Sequence, residues 1–259
     1  MADLEYEVDS GVATIRLNRP AQRNAFTLPM LQSWVAALTS ARDDDDVRVV
    51  VLTGAPGAFC SGVDLSAVGA DDSPLQTKSV LTDHVHRVAL AVEDLDKPLI
   101  AAVNGPAVGA GMDMALMCDL RVAASSATFC EGYVKVGLVP GDGGCYYLPR
   151  IVGIARALEL LWTGDVVSAS DALSMGLVSD VHPDEVFAEE VETFARRLAA
   201  GPPVHLRMIK RATYQSARSD LRTALDLISS HMAVARSTVD SKEAFAAFAE
   251  RRPPRFIGA

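Results

Sequence analysis

Two glycine-bearing segments constrain this chain more than anything else in it. Ala58-Phe59-Cys60-Ser61-Gly62-Val63-Asp64-Leu65 follows a β-like run from Val47 to Thr53. Asn104-Gly105-Pro106-Ala107-Val108-Gly109-Ala110-Gly111-Met112-Asp113 follows a second β-like run from Leu99 to Val103. Each precedes a helix-like pattern, so both belong where a strand ends and a helix begins. Two such turns side by side present two backbone N–H groups to one point. Donors held that way, with a helix N-terminus behind one of them, stabilise a developing oxyanion. The apolar stretch Leu99 to Met117 is long enough for a membrane span, but Asn104-Gly105-Pro106 and Asp113 interrupt it, and it reads as a buried strand, turn and helix.

The rest of the chain repeats the same alternation of short β and α units. Residues 4 to 17 alternate about a turn at Asp9-Ser10-Gly11, which predicts a β-hairpin, and helical periodicity runs from Leu28 to Leu38. The β-then-α pattern returns at 99 to 118 and again, more weakly, over 120 to 160. The architecture is therefore α/β, and periodicity leaves open whether the sheet is doubly wound or spiral. Ser168-Ala169-Ser170-Asp171 has capping-box form and Gly176 stands where a helix stops. Gly201-Pro202-Pro203 then breaks the chain ahead of three helix-like runs at about 204 to 217, 219 to 235 and 240 to 251. This divides the 259 residues into a core, 1–200, and a helical subdomain, 201–259.

Charge and cysteine usage narrow the function classes. A net charge of -9 gives no basic face for nucleic-acid phosphates, and Asp43-Asp44-Asp45-Asp46 reads as a solvated loop. The N-terminus shows neither a basic region nor an apolar stretch, and Cys60, Cys118, Cys130 and Cys145 form no Cys-x-x-Cys pair. Reduced thiols in a cytoplasmic protein are the expectation.

At the glycine segments the chain resembles the crotonase (enoyl-CoA hydratase/isomerase) superfamily. Leu17-Asn18-Arg19-Pro20 with Arg23-Asn24-Ala25-Phe26 is similar to that family's first signature, Phe59 to Leu65 to its second, and Val103-Asn104-Gly105 through Met117-Cys118-Asp119 to its third. Gly137-Leu138-Val139-Pro140-Gly141, Thr163-Gly164 and Gly176-Leu177-Val178 follow in the family's order. The resemblance implies a spiral of ββα turns, a crotonase-like superhelix, with the C-terminal helices serving as a trimerisation subdomain in a homotrimer or homohexamer. It implies an acyl-CoA substrate, with coenzyme A as part of that substrate rather than a cofactor. The segment 66 to 96, with Gly69 to Pro74 as its mobile part, would cover the acyl chain.

Residue by residue, the resemblance assigns the oxyanion donors to the backbone N–H groups of Val63 and Ala110. It puts Arg23 at a coenzyme A phosphate, and Ala25, Ala58, Cys60, Gly62, Asp64, Leu65 and Gly109 along the adenine and pantetheine channel. Arg255 and Phe256 match a tail segment that reaches coenzyme A, although the basic residue usually following that Phe is Ile257 here.

Acid–base chemistry is where the chain departs from the standard hydratase, which works with two glutamates. Asp113 stands at the first glutamate position and Tyr133 at the second, and a phenol with an ordinary pKa of about 10 is a donor but a poor base. Asp142, in Pro140-Gly141-Asp142-Gly143-Gly144, borders the site and offers a second acid; Asp-Gly-Gly is also similar to a segment of the dihydroxynaphthoyl-CoA synthases, and an aspartate at the Asp113 position to one in dienoyl-CoA isomerases. Tyr133 is equally a pocket wall or a catalyst. Glu131, if its stretch is extended, points away from Tyr133. The five histidines have no ligand spacing, so no metal is expected. There is no Gly-x-Ser-x-Gly elbow, dinucleotide fingerprint or phosphate-loop lysine. An enoyl-CoA hydratase is the first expectation, an enoyl- or dienoyl-CoA isomerase the second, and a non-catalytic coenzyme A-binding homologue the third.

Overall fold

The computed structural model describes residues 2–64 and 73–259. Leu65 and most of the Gly69 to Pro74 stretch lie outside the described residues. Strands β1 (Leu4–Asp9) and β2 (Val12–Leu17) form the expected hairpin, and helix α1 (Leu28–Asp43) leads to β3 (Val49–Gly54). Thr27 caps α1 through its side chain, and Pro29 sits in the first turn where a missing N–H costs nothing. Strands β4 (Leu99–Val103), β6 (Leu120–Ala124) and β9 (Asp180–His182) complete a six-stranded sheet in the order β1-β2-β3-β4-β6-β9, parallel from β2 onward.

Alternate residues of these strands feed two cores, which is why the strands read as unbroken apolar runs. Ile15, Val50, Leu52, Ala101 and Val103 face Trp34 and Leu38 of α1. Val49, Val51, Ile100 and Val122 face Phe187, Val191 and Ala195 of a later helix, Asp184–Ala199.

A second, smaller sheet lies over the ends of the first. It contains β5 (Ala107–Val108), β7 (Thr128–Cys130) and β8 (Val167–Ser168), and single bridges from Cys60 to Ala107 and from Phe26 to Val63 extend it. The chain thus passes from one sheet to the other and out through a helix, turn after turn, a spiral rather than a doubly wound sheet. Helix α4 (Ala110–Leu116) leaves β5 directly, and α5 (Gly144–Val152) and α6 (Ile154–Thr163) follow β7. Ahead of β4, α2 (Pro74–Val80) continues through a π turn, Leu81–Val85, into α3 (His86–Asp94).

After α7 (Ala169–Ser174) and α8 (Asp184–Ala199), the chain turns at Gly201 into α9 (Pro203–Ser216), α10 (Leu221–Ser237) and α11 (Val239–Glu250). Lys210 ties α9 to the core, pairing with Asp119 at 2.8 Å and donating to the Lys97 carbonyl. The C-terminal tail folds back on α11, where Asp240 accepts the N–H groups of Ile257 and Gly258, and Phe256 offers its carbonyl to Arg48. None of the described helices is long and apolar enough to cross a membrane.

Candidate active site

The two glycine turns meet because the ends of β3 and β4 are stapled together. Asn104 accepts the Gly54 N–H through Oδ1 (3.2 Å) and donates through Nδ2 to the Gly54 carbonyl (2.8 Å), acting as a surrogate strand between the two turns. Asn24, fully buried, does the same for the first loop, donating to the carbonyls of Ala55 and Ala58 and accepting the Arg19 N–H. Beyond the staples the backbones touch. The Val108 N–H donates to the Cys60 carbonyl at 3.0 Å, and a Cβ on Gly111 would come within 2.1 Å of that same oxygen. Gly62, at φ +93°, turns the first segment beside the Ala110 nitrogen.

Val63 and Ala110 therefore stand on adjacent turns, Ala110 as the first residue of α4 and so one of the helix's unpaired N–H groups. Among the described residues, neither the Val63 nor the Ala110 N–H has a hydrogen-bond acceptor. Two unclaimed donors on turns locked at this spacing are available for an external oxygen.

The expected channel residues cluster beneath this point. Ala25, Ala58, Cys60 and Gly62 are buried, and Cys60 is engaged on every side: its thiol donates to the Asn24 carbonyl, its N–H to the Pro106 carbonyl, and burial pushes the thiol pKa up to about 12. Asp64 pairs with Arg19 at 2.9 Å, while Arg23 is exposed in a left-handed turn. Arg255 and Phe256 lie elsewhere in the same chain. They pack near Glu243 and Arg48, at the start of β3, whereas the turns follow its end, six residues or roughly 20 Å away.

The acid–base residues converge against the second turn. The Tyr133 ring lies over Gly109, 3.8 Å from where a Cβ there would stand, and its hydroxyl is 2.8 Å from Asp113 Oδ2 and 2.8 Å from Asp142 Oδ2. Asp113 is 0%, Asp142 3% and Glu131 1% exposed. A hydroxyl has one proton to give, so Tyr133 donates to one aspartate and accepts from the other. Burial comes first in raising both aspartates above the ordinary carboxylate range. The Tyr133 hydroxyl counters it at each, and His86 also counters it at Asp142. Burial, then the two neighbouring carboxylates, drives the phenol far above its ordinary value, so Tyr133 stays un-ionised.

Two further residues belong to the site and were not legible as such. Glu131 does not point away: the extended stretch ends at Cys130, and Gly132–Val136 coils into a 3₁₀ turn that folds the Glu131 carboxyl inward beside Asp113. The only signal available was an acid directly after an apolar strand. His86 sits on α3, just beyond the π turn, and Nε2 donates to the Gly141 carbonyl at 2.9 Å, tying that helix to the turn that carries Asp142. No local pattern marks it, because the contact joins residues 55 apart.

A family model for enoyl-CoA hydratase/isomerase matches residues 7–259. The chain belongs to the enoyl-CoA hydratase/isomerase family. It is 36% identical over 255 residues to a probable enoyl-CoA hydratase of Rhodobacter capsulatus, covering 98% of each chain. It is 37% identical to a 1,2-epoxyphenylacetyl-CoA isomerase of Escherichia coli, covering 97% of each. Its fold superposes on an enoyl-CoA hydratase from Bacillus anthracis with a TM-score of 0.95 at 33% identity, over the whole of both chains. Membership makes it an enzyme of the lyase or isomerase type in the crotonase superfamily, and the α/β spiral with its C-terminal helices is that superfamily's fold.

Proposed function

We propose that this member of the enoyl-CoA hydratase/isomerase family hydrates a 2-enoyl-CoA. The observation that carries the reading is the Asp113–Tyr133–Asp142 chain beside the paired turns: two acid–base groups joined through one hydroxyl. The thioester oxygen would accept from the Val63 and Ala110 N–H groups, which stabilise an enolate oxygen more than a neutral carbonyl because each hydrogen bond strengthens with the charge on the acceptor. Asp113, with donors on its carboxylate, takes the proton from water as it adds to the β carbon. Asp142, whose burial favours the protonated form, supplies a proton toward the α carbon, directly or through Tyr133. Proton count balances: one leaves water, one enters the α carbon, and the relay resets by passing a proton from Asp113 through Tyr133 to Asp142.

Arg23 would meet a phosphate of coenzyme A at the surface, and Ala25, Ala58, Cys60, Gly62, Asp64, Leu65 and Gly109 would form the channel above which pantetheine lies. No dissociable cofactor enters this scheme. The 1,2-epoxyphenylacetyl-CoA isomerase relative supports a second reading, double-bond migration or ring isomerisation through the same enolate, for which the Asp113–Tyr133–Asp142 relay would carry one proton from carbon to carbon.

Incubation with crotonyl-CoA decides between them. Hydration removes the absorbance of the conjugated thioester and yields 3-hydroxybutyryl-CoA. An intact absorbance with crotonyl-CoA, together with conversion of a 3-enoyl-CoA, selects isomerisation; coenzyme A binding with no turnover of either leaves a binding protein.

A further inference from the structure

Glu131 is a buried carboxyl that the scheme above does not use. Its position is defined by Gly144, the first residue of α5. A Cβ built there would stand 2.4 Å from Asp113 Oδ1 and 3.1 Å from each Glu131 oxygen, so the two carboxyls crowd one point from two sides. Neither Glu131 oxygen, nor Asp113 Oδ1, has a hydrogen-bond donor among the described residues. Two ionised carboxylates in that position would repel in a water-poor interior with nothing to satisfy them, whereas one proton between them satisfies both.

The surroundings decide which partner carries it. Asp113 receives the Tyr133 hydroxyl on Oδ2, and the Gly144 N–H faces it; both favour its ionised form. Glu131 receives nothing else. The other titratable groups around the pair are Cys130 on β7, Cys145 on α5 and Asp142 in the turn before it, with His86 of α3 facing Asp142 rather than the pair. Of those facing the pair, none is a cation that would draw Glu131 into its charged form.

We propose that Glu131 is a positioning residue: it stays protonated at working pH and donates that proton to Asp113 Oδ1, which holds Asp113 ionised and fixes Oδ2 toward Tyr133 and the substrate. Glu131 touches no substrate in this arrangement. The direction of its own titration agrees, since burial, followed by the Asp113 charge, pushes it far above the ordinary carboxylate range. The inference rests on the reading of Asp113 as the site's base.

The test compares Glu131→Gln with Glu131→Leu. A carboxamide keeps an N–H for Asp113 Oδ1 and cannot titrate; leucine keeps the volume and removes the donor. With crotonyl-CoA as substrate, Glu131→Gln should hold kcat within about threefold of the parent. Glu131→Leu should leave KM nearly unchanged and move the acidic limb of the kcat–pH profile upward by about one to two units, because an unsupported Asp113 ionises less readily. A Gln variant as impaired as the Leu variant, or a Leu variant with the parent's acidic limb, would overturn the proposal. A second measurement needs no substrate and no apolar variant. The infrared spectrum of the Asp142→Asn protein at pH 8 should contain a protonated-carboxyl stretch that disappears when Glu131→Gln is added, and its persistence or absence from both spectra would equally overturn it. If crotonyl-CoA is not turned over at all, the hydratase reading falls while the infrared result still decides the state of Glu131.

Discussion

Tyr133 shows how much a single side chain changes meaning with its neighbours. An isolated phenol is a weak acid; held 2.8 Å from two buried carboxyls, it becomes the one hydrogen-bonding link between them. Asp113→Asn and Asp142→Asn should each lower turnover of crotonyl-CoA by roughly 10²–10⁴, while coenzyme A still binds by calorimetry. Their double variant should lose little beyond the worse single one, since in the proposed scheme the pair works as one unit. Tyr133→Phe should cost at least about tenfold in kcat with KM nearly constant; full activity would return Tyr133 to the pocket wall. Asp142 also makes a stability prediction. Its folded pKa is raised, so its favourable contribution is complete below the ordinary aspartate value and declines as pH rises through the folded value. Asp142→Asn should therefore be more stable than the parent at pH 8 in urea unfolding, and the gain should shrink as pH falls toward the ordinary aspartate value.

At the scale of elements, the site is a property of strand ends. The Asn104 staple holds the turns after β3 and β4 in one frame, and Gly54, which it pairs on both N–H and carbonyl, is buried. Asn104→Ala leaves both groups without partners, and urea denaturation should show a loss of about 1–3 kcal/mol together with reduced kcat. Ala110→Pro tests the second turn more cleanly than a mid-helix change could, because Ala110 is the first residue of α4, where proline is accepted. Removing that one N–H should lower kcat by ~10²–10³ with the circular dichroism spectrum retained; unchanged turnover would place the polarising donor elsewhere. The π turn between α2 and α3 belongs to the same picture: it sets Leu81 against Gly141 and His86 on the Gly141 carbonyl, so the helix that follows residues 65–72 is anchored on the turn that carries Asp142.

For the whole molecule, the C-terminal helices leave more apolar surface than one chain can cover. Phe248 is 86% exposed and Phe245 66%, and Leu225 and Ile228 on α10 are also open to solvent. Patches of that kind mark association surfaces. We expect a closed homotrimer, singly or paired into a hexamer, and sedimentation at micromolar concentration should give at least three chain masses; a clean monomer would refute this. Within one chain, Arg255 and Phe256 lie near Glu243 and the start of β3, and we expect any contact of theirs with coenzyme A to be made in a neighbouring copy.

Much of the fold is written locally. The Asp9-Ser10-Gly11 hairpin, the apolar strands at Val49 and Leu99, the caps and the Gly201-Pro202-Pro203 break each depend on neighbours within a few residues, and they stand where the pattern puts them. Helix α1 runs on to Asp43, past the Leu38 limit of its periodicity, because its last turn packs on the core through Ala41. The two glycine turns were legible for the same reason: strand, glycine, helix is a sequential pattern. The chemistry was only half legible. Asp113 and Asp142 announced themselves as acids in the right segments, but the hydroxyl bridge between them, the inward turn of Glu131 and the reach of His86 to Gly141 join residues up to 55 apart. Parity along a strand determines which way a side chain faces only while the strand lasts. At Glu131 it ends, and the tertiary packing of Gly144 against two carboxyls decides the rest.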